Sequence, residues 1–125
     1  IRSYSAVTAA VLAIKKDIYD EVNGLDEENL KVAFNDVDFC LRVVEAGYRN
    51  IYTPYCELYH HESLSRGPDI GSEKAKRFEK EVLYMRGKWS KIIHNDPYYN
   101  PNFSLSHGFS LDVERGESWP WNKVD

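Results

Sequence analysis

Ala75, Phe78, Val82, Met85, Trp89 and Ile92 recur at alternating spacings of three and four, an apolar seam that predicts one long helix beginning at a Ser72 cap. A helix striped on one side must bury that stripe, so the chain has to offer it a surface, or a partner chain does. Residues 72–94 also carry seven Lys or Arg against three Glu, a local charge of +4. A basic amphipathic helix can lie on acidic lipid, but Glu73, Glu79 and Glu81 interrupt the basic face and favour plain packing.

The remaining composition narrows the class. At 125 residues and 42% hydrophobic, the chain has the size and apolar content of one globular domain. Its net charge of -4 and its lack of a basic tail exclude nucleic acid as the indicated partner. Two cysteines, Cys40 and Cys56, are too few for a disulfide scaffold and point to a reduced, cytosolic setting. No run approaches the roughly 20 apolar residues that span a bilayer, and no charged-then-apolar leader opens the chain. Ile1 in place of Met, with apolar sequence starting almost at once, points to a segment of something longer.

Ser5–Ile14 (SAVTAAVLAI) is apolar on both alternating faces, the pattern of a strand covered on two sides. Lys16–Val22 then places Ile18, Tyr19 and Val22 on one helical side, and Asn23-Gly24-Leu25 has the form of a helix C-cap. After an acidic loop over 26–34, Asn35 can cap a helix to about Gly47, with Asp38 completing a capping box and Val37, Cys40, Leu41 and Val44 as its buried stripe. Arg49–Thr53 and Tyr55–His60 alternate like strands around Pro54, Ser63–Gly71 is a loop, and residues 95–102 are rich in turns and aromatics. The order predicts an α/β fold with a long C-terminal helix.

Asp36 and Asp38 crowd the first turn of the helix from Asn35, where the helix dipole favours acids. Two residues apart on a helix they point roughly 200° from each other, so they do not form a paired dyad. Asp38 has Arg42 four residues on, in the favourable acid-first order, and reads as structural. Asp36 has Phe39 and Cys40 at those positions and no local cation, so capping and catalysis both stay open for it. His60 and His61 end a predicted strand and enter a loop, the place where α/β folds build sites. His60 shares a face with Leu58 and is the better inward candidate; a surface or satisfied core histidine is the alternative. Ser63, Ser65, Arg66 and Gly67 follow with hydroxyls, a guanidinium and a flexible backbone, which suit an anionic phosphate or merely make a solvated loop.

Taken in order, Val7–Ile14, Ile18–Asp26 (IYDEVNGLD), Ala33–Arg42 (AFNDVDFCLR), Glu45–Tyr48 (EAGY) and Tyr59–Gly67 (YHHESLSRG) resemble the C-terminal half of family 2 glycosyltransferases. The match covers roughly residues 5–67, and DPYYNPN at 96–102 is similar to a segment of members that build bacterial surface polysaccharides. The resemblance implies a partial GT-A fold, Rossmann-like, with residues 1–71 as the acceptor-side half and 72–125 as a long helix and an aromatic, turn-rich extension. The family's usual Glu-Asp pair reads Asn35-Asp36 here, so Asp36 is implied as the general base of an inverting transfer and Asn35 as an acceptor-side residue. His60, or as second choice His61, is implied at the divalent metal, Mn2+ or Mg2+, and Ser65 and Arg66 on a loop closing over the donor diphosphate. Asp36-Val37-Asp38 also spells the Asp-x-Asp metal motif of the family's other half; opening a helix, with Asp38 paired to Arg42, it reads as an accidental spelling.

The implied partners are a nucleotide-sugar donor and a glycan or lipid-linked acceptor, in the cytoplasm or at the inner face of the membrane. Peripheral membrane contact and a homo-oligomer through the long helix are compatible with this. Without the nucleotide-binding half, the isolated chain is expected to be inactive and to hold no metal tightly. The competing expectation is a non-catalytic carbohydrate-binding or assembly module that uses Tyr55, Tyr59, Tyr98, Tyr99, Trp119 and Trp121 as stacking surfaces.

Overall fold

The computed structural model describes residues 1–59 and 72–112. They form strand β1 (Arg2–Tyr4), a 3₁₀ turn (Ala9–Val11), helices α1 (Lys16–Glu21) and α2 (Asn35–Glu45), strand β2 (Asn50–Tyr52) and helix α3 (Ser72–His94). The chain divides into two compact units, one ending at Trp89 and the other beginning at Ser90. The architecture is mixed α and β, with a small sheet and one long helix.

β1 and β2 pair antiparallel, Ser3 opposite Ile51 and Tyr4 opposite Asn50, and the Tyr4 and Tyr52 rings meet edge-on at 6.2 Å. A two-stranded ladder is marginal alone. Asn50 anchors this one: its buried Nδ2 donates to the Ser5 carbonyl at 2.8 Å and to the Cys40 carbonyl at 3.0 Å, tying both strands to α2.

Ser5–Ile14 is not the buried strand its composition suggests. Among the described residues no strand lies beside it, and an apolar run without a ladder must satisfy its backbone otherwise. Thr8 Oγ1 accepts from the Ala10 amide at 3.3 Å and starts the 3₁₀ turn, leaving Val11 55% exposed. Tyr55–Tyr59 likewise forms no strand. A turn follows Thr53, whose hydroxyl accepts from the Tyr55 amide at 3.4 Å, and Leu58 and Tyr59 project into solvent.

The helices lie close to where the sequence puts them, and their ends show why. α1 closes with the Gly24 amide bonded to the Tyr19 carbonyl at 2.9 Å and the Asn23 amide to the Asp20 carbonyl at 3.0 Å, both residues at positive φ. α2 closes in the same six-to-one pattern, Tyr48 amide to Val43 carbonyl at 3.1 Å, through Gly47 at φ 90°. The start of α2 differs from expectation. Asn35 is its first residue rather than its cap, and the cap position belongs to Phe34, a non-glycine residue at φ 62° whose side chain caps nothing.

Val22, Phe39 and Val43 form a buried cluster against which Ile14, Tyr19 and Leu25 pack. Leu30, Leu41, Met85 and Trp89 are also buried, so α3 supplies part of the core through two residues of the expected seam. Phe78 is half exposed, with its ring 5.5 Å from that of Phe34. Helical geometry breaks at Trp89 (φ -114°, ψ 20°). In the second unit the Tyr99 hydroxyl donates to the Ser104 and Gly108 carbonyls at 2.9 Å each, and its ring meets Phe103 and Phe109, as the turn-rich sequence suggests. Among the described residues no helix is long and apolar enough to cross a membrane.

Candidate active site

Asp36 is the second residue of α2, and its half-buried carboxylate bridges two elements. Oδ1 accepts from the Val37 amide at 2.9 Å and Oδ2 from the Ala9 amide of the 3₁₀ turn at 3.1 Å. A carboxylate here meets the unsatisfied amides of a helix start, and the turn adds a further donor. Among the described residues both of its hydrogen bonds come from backbone amides. Each oxygen keeps a second lone pair able to accept a proton.

Asp38 shows the opposite environment. Its side chain is fully buried, Oδ2 accepting from Arg42 Nε at 2.8 Å and Oδ1 from Lys88 Nζ and Trp89 Nε1 at 2.8 Å each. Burial by itself raises its pKa, but hydrogen bonds from Lys88, Trp89 and Arg42 and the Arg42 charge outweigh it and hold the carboxyl below its usual 3.8. Burial in turn lowers the Lys88 pKa, and Asp38 more than reverses that. Arg42 reaches back to the end of α1, donating to the Gly24 carbonyl at 2.7 Å and to that of Val22. The Asp38–Arg42 pair expected from spacing is present. Its capping-box role is not, because the side chain turns inward and only the Asp38 amide meets the Phe34 carbonyl, at 2.9 Å.

The fold thus separates the two acids: Asp38 is neutralised inside, while Asp36 stays at an accessible edge. Along the 3₁₀ turn whose Ala9 amide meets Asp36 lies an open apolar groove of about 1100 Å3, whose lining includes Thr8, Val11, Ile14, Phe39, Val43 and Ile51. Asn35 adjoins at the head of α2, half-buried. His60, His61, Ser65 and Arg66 lie outside the described residues. Among the described residues no three His, Cys, Asp or Glu side chains cluster as a cation site. Cys40 is buried, its thiol pushed up by burial and lying 3.6 Å from the Val7 carbonyl; Cys56 is exposed.

Three residues of α3 to which the sequence reading assigned no inward role hold this region. The Glu81 carboxylate, 3% exposed, accepts from the Val32 amide at 3.1 Å and the Ala33 amide at 3.0 Å. The Tyr84 hydroxyl donates to Asp26 Oδ2 at 2.9 Å, and Lys88 completes the Asp38 network. For Asp26, burial raises the pKa, but hydrogen bonds from Asn29, Tyr84 and Glu28 prevail and bring it down to about 2. The signal was present in the spacing. Positions 78, 81, 85, 88 and 92 also alternate by three and four, so Glu81 and Lys88 share a face with Phe78 and Met85.

The chain is similar to three proteins of longer length. It is 55% identical over 104 residues to the uncharacterized protein y4gI of Sinorhizobium fredii (strain NBRC 101917 / NGR234), which covers 83% of this chain and 11% of that protein. It is 32% identical over 105 residues to the O-antigen biosynthesis protein RfbC of Myxococcus xanthus, covering 84% of this chain and 8% of that one. With an N-acetylglucosaminyl-diphospho-decaprenol L-rhamnosyltransferase of Mycobacterium tuberculosis it shares 26% over 84 residues, 67% of this chain and 27% of that one. No family model and no solved structure matches. The chain therefore spans between 8% and 27% of the curated relatives it matches, and one of them is by name a glycosyltransferase.

Proposed function

We propose that this chain is the acceptor-side portion of an inverting, family 2 GT-A glycosyltransferase that uses a nucleotide-sugar donor in bacterial surface-polysaccharide synthesis, with Asp36 as general base. The observation that carries this reading is the contrast between two neighbouring acids. Asp38 is neutralised by Arg42 and Lys88, whereas Asp36 is half exposed, oriented by two amides, and retains lone pairs for a substrate proton. The names of the rhamnosyltransferase and O-antigen relatives support the class.

In the reaction the acceptor hydroxyl oxygen attacks the anomeric carbon while Asp36 takes its proton. The new carbon–oxygen bond forms on the face opposite the departing nucleoside diphosphate, which leaves with the electron pair of the broken bond and inverts the anomeric centre. Proton transfer of this kind contributes typically ~10²- to 10⁴-fold. A divalent metal held by His60 or His61, with Ser65 and Arg66, would neutralise the leaving diphosphate. The apolar groove beside the 3₁₀ turn would receive the donor-binding portion of the catalytic domain, covering Val11 and Ile51, 55% and 52% exposed. On this account the enzyme works in the cytoplasm or at the inner face of the membrane, on a glycan or lipid-linked acceptor, and the 125-residue chain alone does not turn over.

The test is Asp36→Asn in the full-length polypeptide carrying these residues. Sugar transfer is lost and donor binding persists; near-normal turnover contradicts the assignment. A carbohydrate-binding module remains the second reading because Tyr55 and Tyr59 are 85% and 95% exposed. Tyr99 does not serve it, since its ring and hydroxyl are committed internally. Titration of the isolated chain with glycans separates the readings: saturable binding with no need of nucleotide or metal favours the module.

A further inference from the structure

We infer that Glu81 of α3 is a positioning residue for Asp36, setting the angle at which the base meets the acceptor hydroxyl; this rests on the reading of Asp36 given above. Glu81 lies 45 residues from Asp36 in the chain yet acts on the peptide that leads directly into it. Its two carboxylate oxygens take the amides of Val32 and Ala33 at 3.1 and 3.0 Å, one each. The next residue, Phe34, sits at φ 62°, a conformation that costs a bulky side chain energy and persists only where surroundings enforce it. Those surroundings are visible. Glu81 holds the amides of the two residues before Phe34, the Phe78 ring one turn earlier on α3 lies tilted with its centre 5.5 Å from that of the Phe34 ring, and the Phe34 carbonyl takes the Asp38 amide at 2.9 Å. Asn35 and Asp36 follow at once.

A carboxylate that is nearly fully buried is retained only where its acceptors are used, and here both are used on backbone of the turn feeding the base. Arg77 Nε stands 4.0 Å from the same carboxylate. The contacts of Lys88 and Trp89 with Asp38 hold the first turn of α2 from the inside; the Glu81 clamp holds the segment that enters that turn, where a rotation swings the Asp36 carboxylate.

Glu81→Gln, Glu81→Ala and, as an exposed control on the same helix, Glu79→Ala are compared in the full-length polypeptide, with Asp36→Asn in parallel. Because a displacement of about 1 Å can cost ~100-fold, Glu81→Ala is expected to lower kcat by ~10- to 100-fold with the donor KM within about twofold of normal. Glu81→Gln keeps one acceptor oxygen and is expected to lower kcat by ~3- to 10-fold, and Glu79→Ala leaves it unchanged. If Glu81→Ala does not fold, Glu81→Gln decides by the same criterion. Unchanged kcat in the folded Glu81 variants overturns the inference, as does a loss that appears equally in donor KM. Full activity in Asp36→Asn instead removes the base assignment itself, so the two failures are distinguishable.

Discussion

Asp36 and Asp38 are alike in type and two positions apart, and the fold gives them different jobs through what each side chain faces. Asp38 meets Arg42, Lys88 and Trp89 in the interior, so Asp38→Asn leaves two cations without their counter-charge; it is expected to destabilise by about 3 kcal/mol, read from urea unfolding. The acid limb of stability follows from the same groups. Asp26 and Asp38 both have depressed folded-state pKa values, so their contribution is present above the usual 3.8 and is lost as pH falls through the folded values, about 2 for Asp26. Tryptophan fluorescence during acid titration should show Asp38→Asn and Asp26→Asn each flattening that limb. Two glycines give a contrast at this scale. Gly47, at φ 90° with nothing near a new Cβ, is expected to cost about 1 kcal/mol as Gly47→Ala. Gly24→Ala adds a 2.8 Å clash with the Tyr19 ring to a similar strain and should cost about 2–3 kcal/mol.

At the level of elements, helices were legible because each carries its own period and its own stop. Of the stripe expected for α2, Cys40 and Leu41 are buried while Phe39 and Val43 are buried in place of Val37 and Val44, Gly47 ends the helix, and the Met85–Trp89 part of the α3 seam is buried as its spacing requires. Strands were less legible, because a strand is defined by its neighbour. Ser5–Ile14 has the composition of a covered strand, but among the described residues nothing pairs with it, and Thr8 and Asp36 take its amides into a turn. The polar half of α3 was overlooked because Glu and Lys count as solvated by default. Their register with Phe78 and Met85 is what marks Glu81 and Lys88 as inward. Phe34 gave no signal at all, since a left-handed aromatic residue is imposed by its surroundings rather than by its own propensity.

At the scale of the molecule, the ordered motifs carried the functional class into the sequence reading, and the names of two relatives agree with it. The catalytic roles did not follow from sequence geometry alone. Position two on a helix suits a capping acid and a base equally; the unlike burial of Asp36 and Asp38 supports the base role proposed for Asp36. The most direct measurement is sugar transfer by the full-length polypeptide with Asp36→Asn beside Asp38→Asn, each assayed below its own unfolding temperature with donor binding measured alongside. The base role of Asp36 requires Asp36→Asn to fold, bind donor and be inactive, while Asp38→Asn is less stable yet turns over when folded. Near-normal transfer by Asp36→Asn would contradict it.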